Sequence, residues 1–307
     1  MYLYRRIMVG LDFTPMDKAL LEYTSFLTTL VKPEKIYFVN AQEGLEDPEE
    51  LLAEYPELDG PLDEKLRDEI QTAVDQYFNP NTGTQTECLI LEGNASEELH
   101  DHIQIKQIDL LIVGRKQNLK GMGIVPQKLA RKIPASLLFI PENAVPSLTT
   151  LVVPIDYSNN SKIALEEAST LASNDPHENQ IVTLHSYSLP TGYYKTGKSE
   201  EEFAEVMLAN SKKKQHALLT DIDLKGNVIR EEYVFDNEHT TAEVINEFAH
   251  KVNANLIVIG GKGRTDASAL FLGSTAEKLI RVDNDIPLLV VKDKQATFGL
   301  LEMLKRL

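Results

Sequence analysis

The chain contains one cysteine, Cys88, and seven histidines that fall in no metal-like spacing. A single thiol excludes an intrachain disulfide and a thiolate-rich metal cluster, and Cys88 is expected to be an inert thiol within a strand. Basic residues are scarce: 31 Lys and Arg stand against 47 Asp and Glu in 307 residues, a formal net charge of −16. Binding to nucleic-acid backbones or to an anionic membrane surface needs dense positive charge, so neither is expected. Long apolar runs are also missing. Leu110–Gly114, Leu256–Gly261 and Pro287–Val291 fall far short of the roughly 18 residues that cross a bilayer. The first residues, MYLYRRIMVGLDF, offer no apolar leader with a small-residue cleavage site, so a reducing cytoplasmic setting is the expectation.

What is present is repetition. Ile7–Asp12 is similar to Val152–Asp156, with the two aspartates 144 residues apart. Ile108–Gly114 is similar to Ala254–Gly260, the glycines 146 apart, and Lys132–Ile140 to Asp285–Val291, the prolines 153 apart. A period near 150 residues is a whole domain, so the chain reads as a tandem duplication with its seam in Pro141–Thr149. The expected domains are 1–143 and 149–307.

Each half carries short apolar runs of the kind that form strands covered on both faces. They are Ile7–Leu11, Ile36–Asn40, Thr86–Leu91, Leu110–Val113 and Ser136–Ile140, then Leu151–Ile155, Gln180–Ser186, Val228–Phe235, Leu256–Ile259 and Leu288–Val291. Helical spacing falls between most of them. The predicted fold class is α/β: two tandem open parallel five-stranded sheets flanked by helices, Rossmann-like. In such sheets ligands lie beyond the strand C-termini where strand order reverses.

Asp12 and Asp156 end the first strand of each half at that edge. Each either shapes an Asx-type turn or presents a carboxylate to a ligand hydroxyl. Thr14-Pro15-Met16-Asp17 reads as a strong helix start, with Thr14 as N-cap, and Ser158-Asn159-Asn160-Ser161 as a weaker one. The sharpest feature is Gly260-Gly261-Lys262-Gly263-Arg264, followed by Gly273-Ser274-Thr275 at the start of a helical pattern. Glycines at a strand end admit close backbone approach, and a helix start offers free N–H groups to phosphate. Ser274 and Thr275 add hydroxyls, and Arg264 or Lys262 add positive charge. No Walker GK[ST] and no tight G-x-G-x-x-G is present.

Gly260-x2-Gly263-x9-Gly273-Ser274 resembles the ATP-binding signature of the universal stress protein family. The strand-1 aspartate, the Ile286–Val291 ending and halves of about 145 residues resemble it as well, over nearly the whole chain, as in tandem members. The resemblance implies a fold like that of the adenine nucleotide α-hydrolases. It implies an adenine nucleotide, ATP or else AMP or ADP, with Mg2+ as an accompanying ion. Asp156 would lie near ribose and adenine, Leu184 would line the base, and Gly260, Gly263, Arg264, Gly273, Ser274 and Thr275 would hold ribose and phosphates. It also implies a pseudo-dimer of the two domains through their last strands, with a further homodimer possible.

The first half departs from that pattern. Gly114 matches the first glycine, but Gln117 stands at the second position. Gly123-Ile124 replaces Gly273-Ser274, and Pro126 removes a donor from the following helix. Loss of triphosphate binding in that half is expected. In the second half, Asp236 and Glu238 follow the strand Val228–Phe235, where acidic side chains would either oppose phosphate or favour a magnesium-bound nucleotide. His185, Tyr193 and Tyr194 are further candidates for the ligand edge.

No Ser–His–Asp or Cys–His set stands out, and HIGH and SGGxDS signatures are absent. The expected function is a nucleotide-binding stress-response or regulatory protein rather than an enzyme. A weak ATPase and a scaffold with a vestigial site are the alternatives.

Overall fold

The computed structural model describes residues 3–43, 62–115, 130–131, 133–262, 272–282 and 285–293. The chain divides into two compact units, Met1–Pro146 and Ser147–Leu307. The first contains β1 (Arg6–Gly10), α1 (Met16–Val31), β2 (Lys35–Gln42), α2 (Leu62–Tyr77), β3 (Gln85–Glu92), α3 (Ala95–Ile105), β4 (Leu110–Arg115) and β5 (Ser136–Pro141). The second contains β6 (Thr150–Pro154), α4 (Asn159–Asn174), β7 (Gln180–Tyr187), a short 3-10 turn (Tyr193–Thr196), α5 (Glu200–Thr220), β8 (Ile229–Phe235), α6 (Thr241–Lys251), β9 (Leu256–Gly260), α7 (Ser274–Arg281) and β10 (Leu288–Val291). Every run read as a strand forms one, with ends moved by a residue or two.

Within the first unit all pairings are parallel, in the order β3-β2-β1-β4-β5. Within the second they are again parallel, in the order β10-β9-β6-β7-β8. Central strands are buried on both faces. Ile7, Met8, Val9, Leu110, Leu111 and Ile112 fill the first sheet, and Leu151, Val152, Val153, Ile257 and Val258 the second. β-branched and leucine-rich runs with helices over both faces leave no room for polar alternation.

The chain winds outward from β6 through β7 to β8, then crosses back to β9 on the other side of β6. Strand order therefore reverses between β6 and β9. Parallel strands diverge there from their crossover helices, which opens a crevice above the C-terminal ends. Asp156 follows β6 and Gly260 ends β9, so the duplicated aspartate and the glycine loop meet at the reversal.

The helix starts differ from expectation in one instructive way. Thr14 does not cap α1: its hydroxyl donates to Asp12 Oδ1 at 2.6 Å, and no side chain caps the first turn. Asp17 reaches back instead, its two carboxylate oxygens accepting from the N–H groups of Asp12 (3.0 Å) and Phe13 (2.8 Å). The weaker-looking Ser158 does cap α4, with Oγ accepting from Ser161 N at 3.2 Å.

Candidate functional site

A cavity of about 290 Å³ lies above the strand ends of the second unit. That volume is on the scale of a small-molecule pocket. Asp156, Leu184, Gly260, Gly273, Ser274 and Thr275 all line it. Gly263 and Arg264 lie outside the described residues, as do Gln117, Gly123, Ile124 and Pro126 of the first half.

Each lining residue has a structural reason for its place. Leu184 is 1% exposed and forms an apolar wall within β7. Its carbonyl accepts from Ile155 N at 2.8 Å, extending the sheet one residue past β6 and delivering Asp156 to the rim. Asp156 Oδ1 accepts from Ser158 N at 3.0 Å, an Asx turn. The turn-shaping reading of this aspartate is therefore met by one oxygen, and the residue also lines the cavity.

Gly260 has a cause other than a ligand. A Cβ there would stand 2.7 Å from the backbone carbon and oxygen of Asn160, in the first turn of α4. The glycine lets the helix close onto the strand. Gly261 N donates to the Val291 carbonyl, and Gly273 N to the Gly261 carbonyl, each at 2.7 Å. These bonds tie the start of α7 to the ends of β9 and β10.

Helix starts from three directions line the cavity: Ser161 from α4, Thr241 from α6, and Ser274, Thr275 and Ala276 from α7. The first turns of α4 and α6 are already served. Ser158 caps α4, and Thr240 with Glu243 forms a capping box on α6. α7 starts differently: its N-cap is Gly273, and no side chain caps its amides. The unshared N–H groups and the positive end of the helix dipole favour an anion at this point. Lys262 lines the same cavity and adds the only full positive charge among its described lining residues.

Behind the loop, Lys292 is 6% exposed directly after β10. Burial, with Lys262 nearby, pushes its ammonium from an ordinary 10.5 down to about 7. Nothing in the apolar spacing of Pro287–Val291 announced a buried lysine at the strand's end.

Other candidates go elsewhere. Asp236 turns into its own loop, accepting from the N–H groups of Glu238 (2.8 Å) and His239 (2.7 Å) and pairing with the His239 ring at 2.8 Å. Those bonds hold its carboxyl below the usual range and push the His239 pKa up. Tyr193 packs on Phe203 of α5 with ring centroids 6.0 Å apart, and Tyr194 is 66% exposed, so neither ring closes over the cavity. His185 does line it. Cys88 is half-buried in β3, and burial raises its thiol to about 11, in keeping with an inert thiol. Thr241 and Ile245 of α6 line the cavity as well. Ile245 reads in the sequence only as a core position of a helix, and Thr241 carries no signal of its own.

No helix among the described residues is long and apolar enough to cross a membrane. A model described as the universal stress protein family matches residues 3–141 and again residues 148–292. The chain is 24% identical over 233 residues to the universal stress protein E homolog of Haemophilus influenzae, covering 71% of this chain and 72% of that protein. It is 26% identical to a universal stress protein of Methanocaldococcus jannaschii, over 48% of this chain and 96% of that one. Among solved structures, a universal stress protein from Archaeoglobus fulgidus superposes with a TM-score of 0.63 at 18% identity, covering 95% of this chain and 99% of the other. A functionally unknown protein from Pseudomonas aeruginosa gives 0.65 at 14% identity, covering 99% and 98%.

Proposed function

The chain belongs to the universal stress protein family, with two copies of the domain in tandem, and on that footing we propose that its second half binds an adenine nucleotide, ATP above all. The observation that supports this reading best is the start of α7. Among the described helix starts lining the cavity it is the one that no side chain caps, and it opens on a glycine that lines the cavity together with Lys262. Phosphate would sit on the N–H groups of Ser274, Thr275 and Ala276, with the two hydroxyls and Lys262 adding donors. The apolar wall at Leu184 suits a base, and Asp156 suits a ribose hydroxyl. The donor set therefore fits a nucleotide without a large positive surface, which this acidic chain lacks.

The function proposed is regulatory. Nucleotide occupancy at the start of α7 changes a surface that a protein partner reads. Magnesium enters as the counter-ion of the phosphates. No catalytic residue is assigned. Turnover abolished by Gly273 or Ser274 substitutions would replace this reading with an ATPase.

Native mass spectrometry of the full chain, with and without ATP and magnesium, tests the proposal and also counts subunits. One nucleotide per chain is expected. None, under both conditions, sinks the reading. Two would show that the first half has kept a site despite Gln117 and Ile124. A bound nucleotide must also raise the unfolding temperature by mass action, by an amount that grows with ATP concentration.

A further inference from the structure

The two halves pin the same backbone point with different side chains. In the first, Leu11 N donates to the Val39 carbonyl at 2.8 Å, and Asn40 Nδ2 donates to the Leu11 carbonyl at 2.9 Å. In the second, Ile155 N donates to the Leu184 carbonyl at 2.8 Å, and His185 Nδ1 lies 2.7 Å from the Ile155 carbonyl. A carbonyl only accepts, so Nδ1 carries the ring proton. Strand register makes the two side chains equivalents. Gly10 pairs with Val39 and Pro154 with Leu184, and the next residues are Asn40 and His185.

That point precedes a costly turn. The residue after each aspartate is left-handed and bulky: Phe13 at φ 57° and Tyr157 at φ 64°. Such a conformation persists only where the surroundings hold it. In the second half the holders are visible. Tyr157 Oη donates to the Ser211 carbonyl at 3.0 Å, its ring packs 4.5 Å from the His185 ring, and Asp156 Oδ1 takes the Ser158 amide. His185 fixes the carbonyl immediately before Asp156 and itself lines the cavity.

We infer that His185 is a positioning residue of the nucleotide site: its Nδ1–H holds the turn from Ile155 to Ser158 so that Asp156 faces the ligand. This rests on the nucleotide reading above. Asn40 shows what the position requires, an N–H donor of suitable reach, and shows that an imidazole is not needed for it.

Titration calorimetry with ATP on the full-length wild type, His185→Ala and His185→Asn tests it. The alanine variant should bind about tenfold more weakly, the cost of one lost hydrogen bond in a held turn. The asparagine variant should return to within about threefold of wild type, since it copies the first half. The ligand-free alanine variant should also unfold at a lower midpoint, having lost that bond and the ring contact with Tyr157, and the asparagine variant should recover part of the loss. Alanine binding as tightly as wild type, or folded asparagine binding as weakly as alanine, overturns the positioning role alone. A wild type that binds no ATP overturns the nucleotide reading and this inference with it. Should the alanine variant fail to fold, nitrogen NMR of the wild type decides: a neutral ring protonated at Nδ1 is expected, and one protonated at Nε2 overturns the assignment.

Discussion

The halves keep one geometry and exchange the side chains that serve it. Register equates Gly260 with Gly114, Gly261 with Arg115, Val291 with Ile140 and, one residue on, Lys292 with Pro141. Each half buries a basic side chain in that corner, but on different strands. Arg115 of β4 is 8% exposed beside Pro141, whereas Lys292, 6% exposed, follows β10 beside Gly261. A Cβ on Gly261 would meet Lys292 Cγ at 3.3 Å, so the glycine makes room for the lysine stem. Duplication copied the backbone, and the copies then solved the same packing problem with different pairs. Similarity between the halves therefore reports geometry, and the differences report what each half does with it.

The largest expected effect follows from that exchanged cation. Between about pH 7 and 10.5 the unfolded chain holds a proton on Lys292 that the folded chain does not. Stability of the second half must therefore rise with pH through this window and lie flat below it, where both states are protonated. The contribution is on the order of a few kcal/mol. Lys292→Met should remove the rise, as urea unfolding at several pH values would show. A variant that keeps the wild-type slope would show that the lysine is not the titrating group, and the comparison with Pro141 would lose its energetic content.

Next come the paired glycines. Gly260→Ala drives a methyl to 2.7 Å from the Asn160 backbone, whereas Gly114→Ala meets the Met16 side chain at 2.5 Å. Backbone in a helix start cannot move aside, but a methionine can change rotamer. The expected costs are about 3 kcal/mol for Gly260→Ala and about 1 kcal/mol for Gly114→Ala. Equal costs from chemical denaturation would show that the two helix–strand contacts are alike after all.

Much of this was legible in the sequence for a physical reason. The central strands read as apolar runs because both faces of a parallel sheet are covered there, so no alternation hides them. The cavity's aspartate, glycines and hydroxyls were legible because special backbone demands special residues. Caps were not. Thr14-Pro15-Met16-Asp17 has the stronger motif, yet Thr14 serves Asp12 while Asp17 reaches back to the loop. Which of two competing acceptors an N–H chooses depends on the turn's path, and composition does not encode the path. The buried Lys292 and the Asn40–His185 equivalence were hidden for a related reason: both become visible only once strand register is known.

The helix start that carries the functional reading can be closed deliberately. Gly273 is buried at φ −66°, ψ 148°, a backbone conformation that any residue adopts. Gly273→Asp supplies the cap that α4 and α6 already own, satisfying amides that would otherwise meet phosphate, and adds a repelling charge. ATP affinity should fall about thirtyfold, roughly 2 kcal/mol, while the ligand-free protein becomes no less stable. Calorimetry paired with thermal unfolding separates the two. Unchanged affinity would move the phosphates away from α7 and dissolve the distinction drawn between it and the capped helices.

The smallest effect tests the caps themselves. Ser158 Oγ serves the α4 amide of Ser161, so Ser158→Ala should cost about 1 kcal/mol. Thr14 gives its hydroxyl to Asp12 and serves no amide of α1, so Thr14→Ala should cost only about 0.5 kcal/mol or less despite the better-looking motif. Urea midpoints of the two variants decide the order. A larger loss at Thr14 would mean that its bond to Asp12 holds the left-handed turn at Phe13. The first half would then depend on a hydroxyl for what the second achieves with Tyr157.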